Sequence, residues 1–163
     1  MKKTKNLTFS AVCSAIIVSL LYLASLVKTG TLSFQYICGL IIMLIASRCG
    51  IASGIGVFGV SSVLLFFLSP DKTAAISFTL FFGIFPIIKY FAEKGRRTFE
   101  WILKVVFINV FILALYIVFK SVLSLSIPIY VLWIAGIISG IIYDLLLSFG
   151  FTFASRYLRK YLT

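Results

Sequence analysis

The sequence predicts an all-α membrane protein, a bundle of six transmembrane helices with both termini in the cytoplasm. Hydrophobic residues make up 62% of the 163 residues and charged residues only 12%, which is far outside the range of soluble globular domains. The chain also divides into six apolar stretches, most of them close to the ~20 residues that a spanning helix needs. Lysine and arginine are distributed unevenly between the breaks. The six stretches form one integral membrane domain covering residues 1–163.

Short polar or glycine-containing breaks separate the predicted spans. The most polar break is Glu93–Arg97, and the weakest is Lys120–Pro128, which keeps several apolar residues. Continuous apolar runs such as Ile102–Phe119 favour helices over a β-barrel, whose strands alternate. Met1–Lys5 resembles the start of a signal peptide, but no small-residue cleavage site and polar region follow, so we predict a retained first span. In chain order the predicted spans are about 8–27, 31–47, 51–69, 73–92, 99–120 and 127–155.

The positions of the basic residues predict the orientation. Of the 15 Lys and Arg residues, only Lys28, Lys72 and Lys120 fall on the predicted outer side. Basic residues accumulate on the cytoplasmic side of membrane proteins. The net charge of +11 therefore reflects this topology and indicates attraction to anionic lipid of the inner leaflet rather than binding of nucleic acid. The remaining basic residues are Lys2, Lys3, Lys5, Arg48, Lys89, Lys94, Arg96, Arg97, Lys104, Arg156, Arg159 and Lys160.

Groups that perform catalysis are scarce in this chain. It contains no histidine, and no glycine-rich loop followed by Lys-Ser or Lys-Thr is present to hold ATP phosphates. General acid–base and metal-assisted mechanisms need a base, an acid pair or a set of ligands. We therefore predict that the protein is not an enzyme and has no catalytic residues, cofactor or metal. The acidic residues are scattered singly: Asp71, Glu93, Glu100 and Asp144.

The three cysteines are odd in number and lie within or at the ends of spans. They lack metal-ligand spacing, and a disulfide framework is not expected of them. We interpret them as small packing residues. They are Cys13, Cys38 and Cys49.

Small residues repeat at helical spacing in three of the spans. Ala11 and Ala15 lie on one face of the first span, because residues four apart stack on the same side of a helix. Such faces allow close approach of another helix, either inside the same bundle or from a partner protein. Both alternatives are open for this face. Internal packing is favoured for Gly50 with Gly54 and for Gly136 with Gly140.

The overall pattern resembles the S component, the substrate-binding membrane subunit, of energy-coupling factor transporters. The features that carry the resemblance are six short spans, a basic N-terminus, the Ala11-xxx-Ala15 face and the glycine-rich segment Arg48–Gly54. Leu20–Thr31 and Leu80–Lys89 look like segments of small clostridial-type members. The connection Lys28–Ser33 is shorter than the lid loop of vitamin-binding members, which argues against a vitamin-sized, fully enclosed ligand.

The resemblance implies a function and a set of partners. The chain would capture a small molecule from the outer side and dock through Ala11 and Ala15 on a transmembrane coupling subunit joined to two ATPases. The substrate itself is not specified by these residues. The alternative is a non-transporting six-helix scaffold, similar to cell-shape proteins thought to share a related fold.

Asp144 is the only carboxylate predicted to lie deep within a span. A lone charge near the bilayer centre costs about 3 kcal/mol on insertion scales, so it is expected to pair, to be protonated or to face a polar cavity. Candidates at matching depth are Asn109, Lys89 and Lys104, and Lys104 has Glu100 one turn earlier as a competing partner. A structural brace between helices and a role in substrate or proton handling are the two interpretations.

Two further predictions concern the fourth span and the outer half. Gly83 and Pro86 predict a kink near the cytoplasmic end of span four, which would aim Lys89 into the bundle or else expose an aromatic patch to lipid. Polar and aromatic side chains at the outer ends of several spans predict an outward-opening ligand pocket, although aromatics also form belts at the membrane interface. The predicted pocket residues are Tyr22, Gln35, Tyr36, Lys72, Tyr116 and Trp133.

Overall fold

A computed structural model describes the backbone of residues 2–27, 30–93, 97–118 and 129–161. Within these ranges the chain is almost entirely helical. Residues 28–29, 94–96 and 119–128, which cover most of three predicted breaks, lie outside the described residues, and so does the side chain of Glu100. The helices are α1 Lys2–Val27, α2 Thr31–Cys49, α3 Ile51–Leu68, α4 Lys72–Ser77, α5 Ile84–Glu93, α6 Arg97–Val118 and α7 Ile129–Tyr161, with a π-helical turn at Phe78–Phe82 between α4 and α5.

Five helices in the described part of the chain are long and apolar enough to cross a membrane: α1, α2, α3, the continuous Lys72–Glu93 helix and α7. The sixth, α6, contributes a shorter apolar section, Ile102–Ala114. The helical membrane bundle predicted from the sequence is therefore observed. Six membrane crossings and the direction in which they face stay a prediction.

Two helices extend beyond the predicted spans. The first helix begins at Lys2 rather than at residue 8, and α7 continues to Tyr161 rather than ending at residue 155. Hydropathy predicts which residues lie in the apolar layer of the membrane. The helix itself can continue beyond that layer, until a capping residue, glycine or proline ends it. The basic residues at both ends are good helix formers, so each helix continues through them.

Contacts between side chains show how neighbouring helices run. Residues Ser10 and Ala11 of α1 line the same surface groove as Ala52 and Ser53 of α3. Helix α6 runs opposite to α7, since Lys104 meets Asp144 at one end of their contact and Ile112 lies over Gly136 at the other. This alternation is expected of a chain that crosses one layer repeatedly.

Two packed clusters hold the helices together. The larger one joins α1, α2 and α3 to the start of the fourth span and includes Ile17, Ile42 and Phe78, each fully buried. The smaller one joins α5 to α7 through Phe85 and Leu147. Helix α2 contacts both groups of helices and therefore lies between them. Many large apolar side chains elsewhere are exposed, as expected for surfaces that face lipid rather than water.

Several glycines are internal packing sites, as predicted. A Cβ atom on Gly54 would lie 2.9 Å from the Ala46 side chain, and one on Gly140 would lie 2.9 Å from Ile108. These glycines let α3 approach α2, and α7 approach α6, more closely than a larger residue would allow. Gly50 has a different role, because its φ of 96° between α2 and α3 is a conformation that favours glycine. A Cβ on Gly56 would meet nothing within 4 Å.

The break in the fourth span differs from the prediction in position and type. The helix widens into a π-helical turn at Phe78–Phe82, before Gly83, rather than kinking only at the glycine and proline. The Gly83 N–H donates to the Phe78 carbonyl oxygen at 2.7 Å, one residue further back than in an α-helix. A side chain at Gly83 would collide with the Phe58 ring of α3. Glycine therefore allows that ring to pack against the backbone at the break.

Candidate functional site

Lys89 and Asp144 form a buried ion pair between α5 and α7. The Lys89 side chain is 0% exposed, and its Nζ contacts Asp144 Oδ1. The same ammonium donates to the Asp144 backbone oxygen at 2.6 Å and to Ser148 Oγ at 2.6 Å. These three acceptors match the three N–H groups of a lysine ammonium. Glu93 Oε1 lies further away, 3.7 Å from Lys89 Nζ.

A second lysine reaches the same carboxylate from α6. Lys104 Nζ donates to Asp144 Oδ2 at 3.0 Å. Asp144 is 25% exposed and Lys104 14% exposed, so both are largely shielded. The structure thus brings together Asp144 and both predicted lysines, and ties three helices with one carboxylate. Asn109 does not join this network, because its Nδ2 donates to Val105 O at 2.7 Å within α6.

The electrostatic arrangement offsets the cost of placing charges in an apolar layer. Each oxygen of Asp144 accepts from a different ammonium, and the more deeply buried Lys89 has its hydrogen-bonding capacity filled. Charge-assisted hydrogen bonds of this type are stronger than neutral ones. Removing one member leaves its partner charged and shielded from water, which is why such networks are sensitive to substitution.

A hydroxyl from α7 compensates for the proline in α5. Pro86 has no N–H to donate to the carbonyl of Phe82, four residues earlier. The Tyr143 hydroxyl donates to that Phe82 oxygen at 3.0 Å instead. The Tyr143 ring also packs against Phe81 and Phe85, with ring centroids 5.2 and 5.3 Å apart. Tyr143 and Asp144 therefore fix α7 to the π-helical turn and to α5, through one hydroxyl and one carboxylate.

A shallow groove of small residues lies between α1 and α3. Ala11 and Ala15, the predicted docking residues, are exposed and line it rather than packing inside the bundle. Ala52, Ser53 and Gly56 form the facing side, and the groove has a volume of about 530 Å³. We call this surface the α1/α3 groove.

One polar atom in the α1/α3 groove has no partner in the structure. Ser10 is 8% exposed, and its Oγ makes no hydrogen bond. By contrast, the nearby hydroxyls of Ser14 and Ser53 donate to carbonyl oxygens of their own helices, four residues earlier. A buried hydroxyl without a partner is unfavourable, most of all where water is absent.

The predicted outer-half residues do not converge on one pocket in the described part of the chain. Gln35 is 1% exposed and points into the bundle, where its Nε2 donates to Ala74 O at 3.0 Å and to Ser77 Oγ at 2.8 Å. Lys72 Nζ donates to Phe66 O at 2.7 Å and lies over the Phe66 ring. Tyr22 and Trp133 are exposed, and Tyr116 is partly buried.

Among the predicted outer-half residues, Tyr36 lines a cavity in the described part of the chain. A cleft of about 630 Å³ lies where α2, the π-helical turn, α6 and α7 meet. Its walls are mostly apolar, and its polar groups come from Ser33, Tyr36, Ser139 and Tyr143. The Tyr36 hydroxyl donates to Leu146 O at 2.6 Å, so its oxygen faces α7. We call this cavity the Tyr36 cleft.

Three contributors to these sites were not predicted from the sequence. Ser148 lies four residues after Asp144, and this spacing places both on one helix face. Ser10 directly precedes Ala11. The sequence alone does not show that its hydroxyl is buried without a hydrogen-bond partner. Tyr143 is adjacent to Asp144, and no sequence pattern links it to Pro86 about sixty residues earlier.

Comparison with known proteins adds no relative. No protein-family model matches the chain, and no curated protein or solved structure matches it either.

Proposed function

We propose that this protein is the substrate-binding membrane subunit of an ATP-driven importer of the energy-coupling factor class. The sequence resemblance supports this assignment. The chain itself has no glycine-rich loop followed by Lys-Ser or Lys-Thr to hold ATP phosphates. Energy would then come from two ATPases acting through a transmembrane coupling subunit. The chain would reside in a bacterial cytoplasmic membrane.

The observation that carries the proposal is the exposure of Ala11 and Ala15. Small residues used for packing inside a bundle are covered by a neighbouring helix, as Gly54 and Gly140 are. The two alanines instead line the open α1/α3 groove, together with the uncovered Gly56. A surface of this kind suits close approach of a helix from another protein. In the predicted orientation it lies towards the cytoplasm, on the side where a coupling module would meet it.

The Tyr36 cleft is our candidate for the place where substrate is held. Its volume falls in the range of small-molecule sites, and its apolar walls carry a few hydroxyl groups that can orient a ligand. Tyr36 and Tyr143 already donate their hydroxyl protons to backbone oxygens, so each phenolic oxygen is left to accept a hydrogen bond. This chemistry suits a largely apolar molecule with hydrogen-bond donors.

Purification with and without an energy-coupling factor module tests the proposal. The module consists of its coupling subunit and two ATPases, co-expressed with the tagged chain. We expect a stable complex, and mass spectrometry should find a small molecule that co-purifies with the chain and is lost in Tyr36→Trp, which would fill the cleft. A chain that never associates with the module and carries no small molecule would contradict it.

A non-transporting scaffold is the second candidate. The contacts of Gln35 favour this candidate. Its amide joins α2 to α4 by two hydrogen bonds, in the half of the bundle predicted to face outward. A scaffold needs solid packing there, whereas a binding subunit needs an opening. The same purification distinguishes the two, because a scaffold would be recovered free of small molecules and of the module.

A further inference from the structure

The α1/α3 groove contains one hydrogen-bonding group that the protein itself does not use. Three serines line the groove, Ser10, Ser14 and Ser53. The hydroxyls of Ser14 and Ser53 donate to carbonyl oxygens of their own helices, at 3.0 and 3.1 Å. The Oγ of Ser10 makes no hydrogen bond, although this residue is only 8% exposed. A hydroxyl can both donate and accept, so Ser10 keeps its full hydrogen-bonding capacity.

The other lining residues limit what can approach this hydroxyl. No charged side chain lines the groove in the part of the chain that the structure describes. Its edges are apolar and exposed at Leu7, Val60 and Leu64, and Val57, which is 2% exposed, lies at its base. A charged occupant would lose its hydration here without gaining a counter-charge. The groove therefore favours an uncharged surface.

The dimensions of the groove suit a helix. The lining residues cover Leu7–Ala15 of α1 and Ala52–Leu64 of α3, which is about 12 and 18 Å at 1.5 Å per residue. Two to three turns of a helix match that length. The small side chains of Ala11 and Ala15 and the uncovered Gly56 allow the backbone of such a helix to come close.

The unpartnered hydroxyl distinguishes a polar helix from a lipid chain as the occupant. An acyl chain has no donor or acceptor, so it would leave Ser10 without a hydrogen bond. A helix with an uncharged polar side chain at the level of Ser10 supplies one, and hydrogen bonds of this type join helices in membranes. Turning the Ser10 hydroxyl towards the groove breaks no existing bond, whereas turning Ser14 or Ser53 would.

We propose that Ser10 is the specificity-determining residue of the α1/α3 groove. The helix of the coupling subunit that lies in the groove hydrogen-bonds to it through a Ser, Thr, Asn or Gln side chain. This inference rests on the proposed function, because it names the chemistry of the partner at the docking surface. The small residues admit any helix of suitable shape, and the hydroxyl selects one with a polar group at the matching position.

Competition between wild type and Ser10→Ala tests this inference. The two full-length proteins carry different tags and are co-expressed with a limiting amount of the energy-coupling factor module, which is then purified. Ser10→Ala should be recovered roughly three- to twentyfold less than wild type, which corresponds to the strength of hydrogen bonds between membrane helices. The isolated variant should be at least as stable to heat as wild type, because it loses a buried hydroxyl without a partner.

Ser14→Ala and Ser53→Ala are the matched controls. Each removes a hydroxyl from the same groove, but one that is bonded within its own helix. Both should compete equally with wild type. Equal recovery of Ser10→Ala and wild type would overturn the proposal. So would a lower stability of isolated Ser10→Ala, because the hydroxyl would then be bonded in the free protein, for example to the Asn6 carbonyl one turn earlier.

Alanine replacement of each Ser, Thr, Asn and Gln in the transmembrane helices of the coupling subunit identifies the partner group. One replacement should weaken the complex with wild type and have no further effect with Ser10→Ala. If no replacement behaves in this way, the proposal is wrong. A module that does not bind even wild type would contradict the proposed function as well. A complex that is lost in Ala11→Trp but unaffected by Ser10→Ala would contradict only this inference.

Discussion

At the scale of single residues, Asp144 connects three helices of this protein. A carboxylate within an apolar helix requires a partner, and its sequence position alone narrowed the partners to groups of matching depth. The structure supplies two of them, Lys89 and Lys104, one for each carboxylate oxygen. Asn109, the third candidate, bonds to its own helix instead. Depth can be predicted from sequence, but which side chain of matching depth reaches the carboxylate depends on how α6 packs against α7, and the sequence does not show that.

Asp144→Asn is expected to destabilise the protein by about 3–5 kcal/mol, the usual cost of removing one member of a buried pair. The loss comes mainly from Lys89, which would stay buried without its carboxylate. Adding Lys89→Met should therefore recover more stability than adding Lys104→Met, since Lys104 is the more exposed of the two. Thermal unfolding in detergent measures each variant. A melting temperature that does not change in Asp144→Asn would mean that the pair is not a brace.

At the scale of the elements, the break in the fourth span depends on a contact from another helix. Gly83 and Pro86 predict a disturbance of the helix, and one is present. The π-helical turn and its position were not predicted, because they depend on the Phe58 ring in α3 and the Tyr143 hydroxyl in α7. Short-range patterns in the sequence contain no information about partners that arrive from distant helices.

Tyr143→Phe and Pro86→Ala test this dependence as a pair. Tyr143→Phe should lower stability by about 1–3 kcal/mol, because it takes away the donor that bonds the Phe82 oxygen in place of the missing N–H of Pro86. In a Pro86→Ala background the same change should cost less, since Ala at 86 has an N–H for that oxygen. Denaturation of the four proteins gives the coupling energy.

Tyr36→Phe is the matched control for this pair. It removes a hydroxyl that also donates to a backbone oxygen, that of Leu146. Gly150, four residues later in α7, carries an N–H for that oxygen, so the expected loss is smaller. Equal losses for Tyr36→Phe and Tyr143→Phe, with no dependence on Pro86, would show that the proline has no part in the effect.

At the scale of the whole molecule, the sequence predicts the helical bundle well. It does not predict which residues of each helix lie on the surface of the bundle. Composition alone predicts apolar helices, and the packing glycines Gly54 and Gly140 fit the expectation for internal contacts. The exposure of Ala11 depends on where α3 lies relative to α1, which spacing within one helix does not determine. For the same reason Gln35 was expected in an outer pocket and instead bonds to α4.

The orientation of the bundle can be tested by labelling single cysteines. In a variant without the three native cysteines, Gly95→Cys should react with a membrane-impermeant reagent only from the cytoplasmic side. Asp71→Cys should react only from the outside. The reason is the concentration of lysine and arginine around residues 94–97. Labelling of position 95 from outside would reverse the orientation and remove the argument that the α1/α3 groove lies towards the cytoplasm.

The central claim, docking through the α1/α3 groove, is tested most directly by co-purification of tryptophan variants with the energy-coupling factor module. Ala11→Trp and Ala15→Trp fill the groove and should abolish the complex while leaving thermal unfolding unchanged. Val12→Trp and Ile16→Trp place the same bulk on adjacent exposed positions of α1 outside the groove, and both should co-purify like wild type. Complexes that survive Ala11→Trp and Ala15→Trp, or are lost equally in all four variants, would contradict the claim.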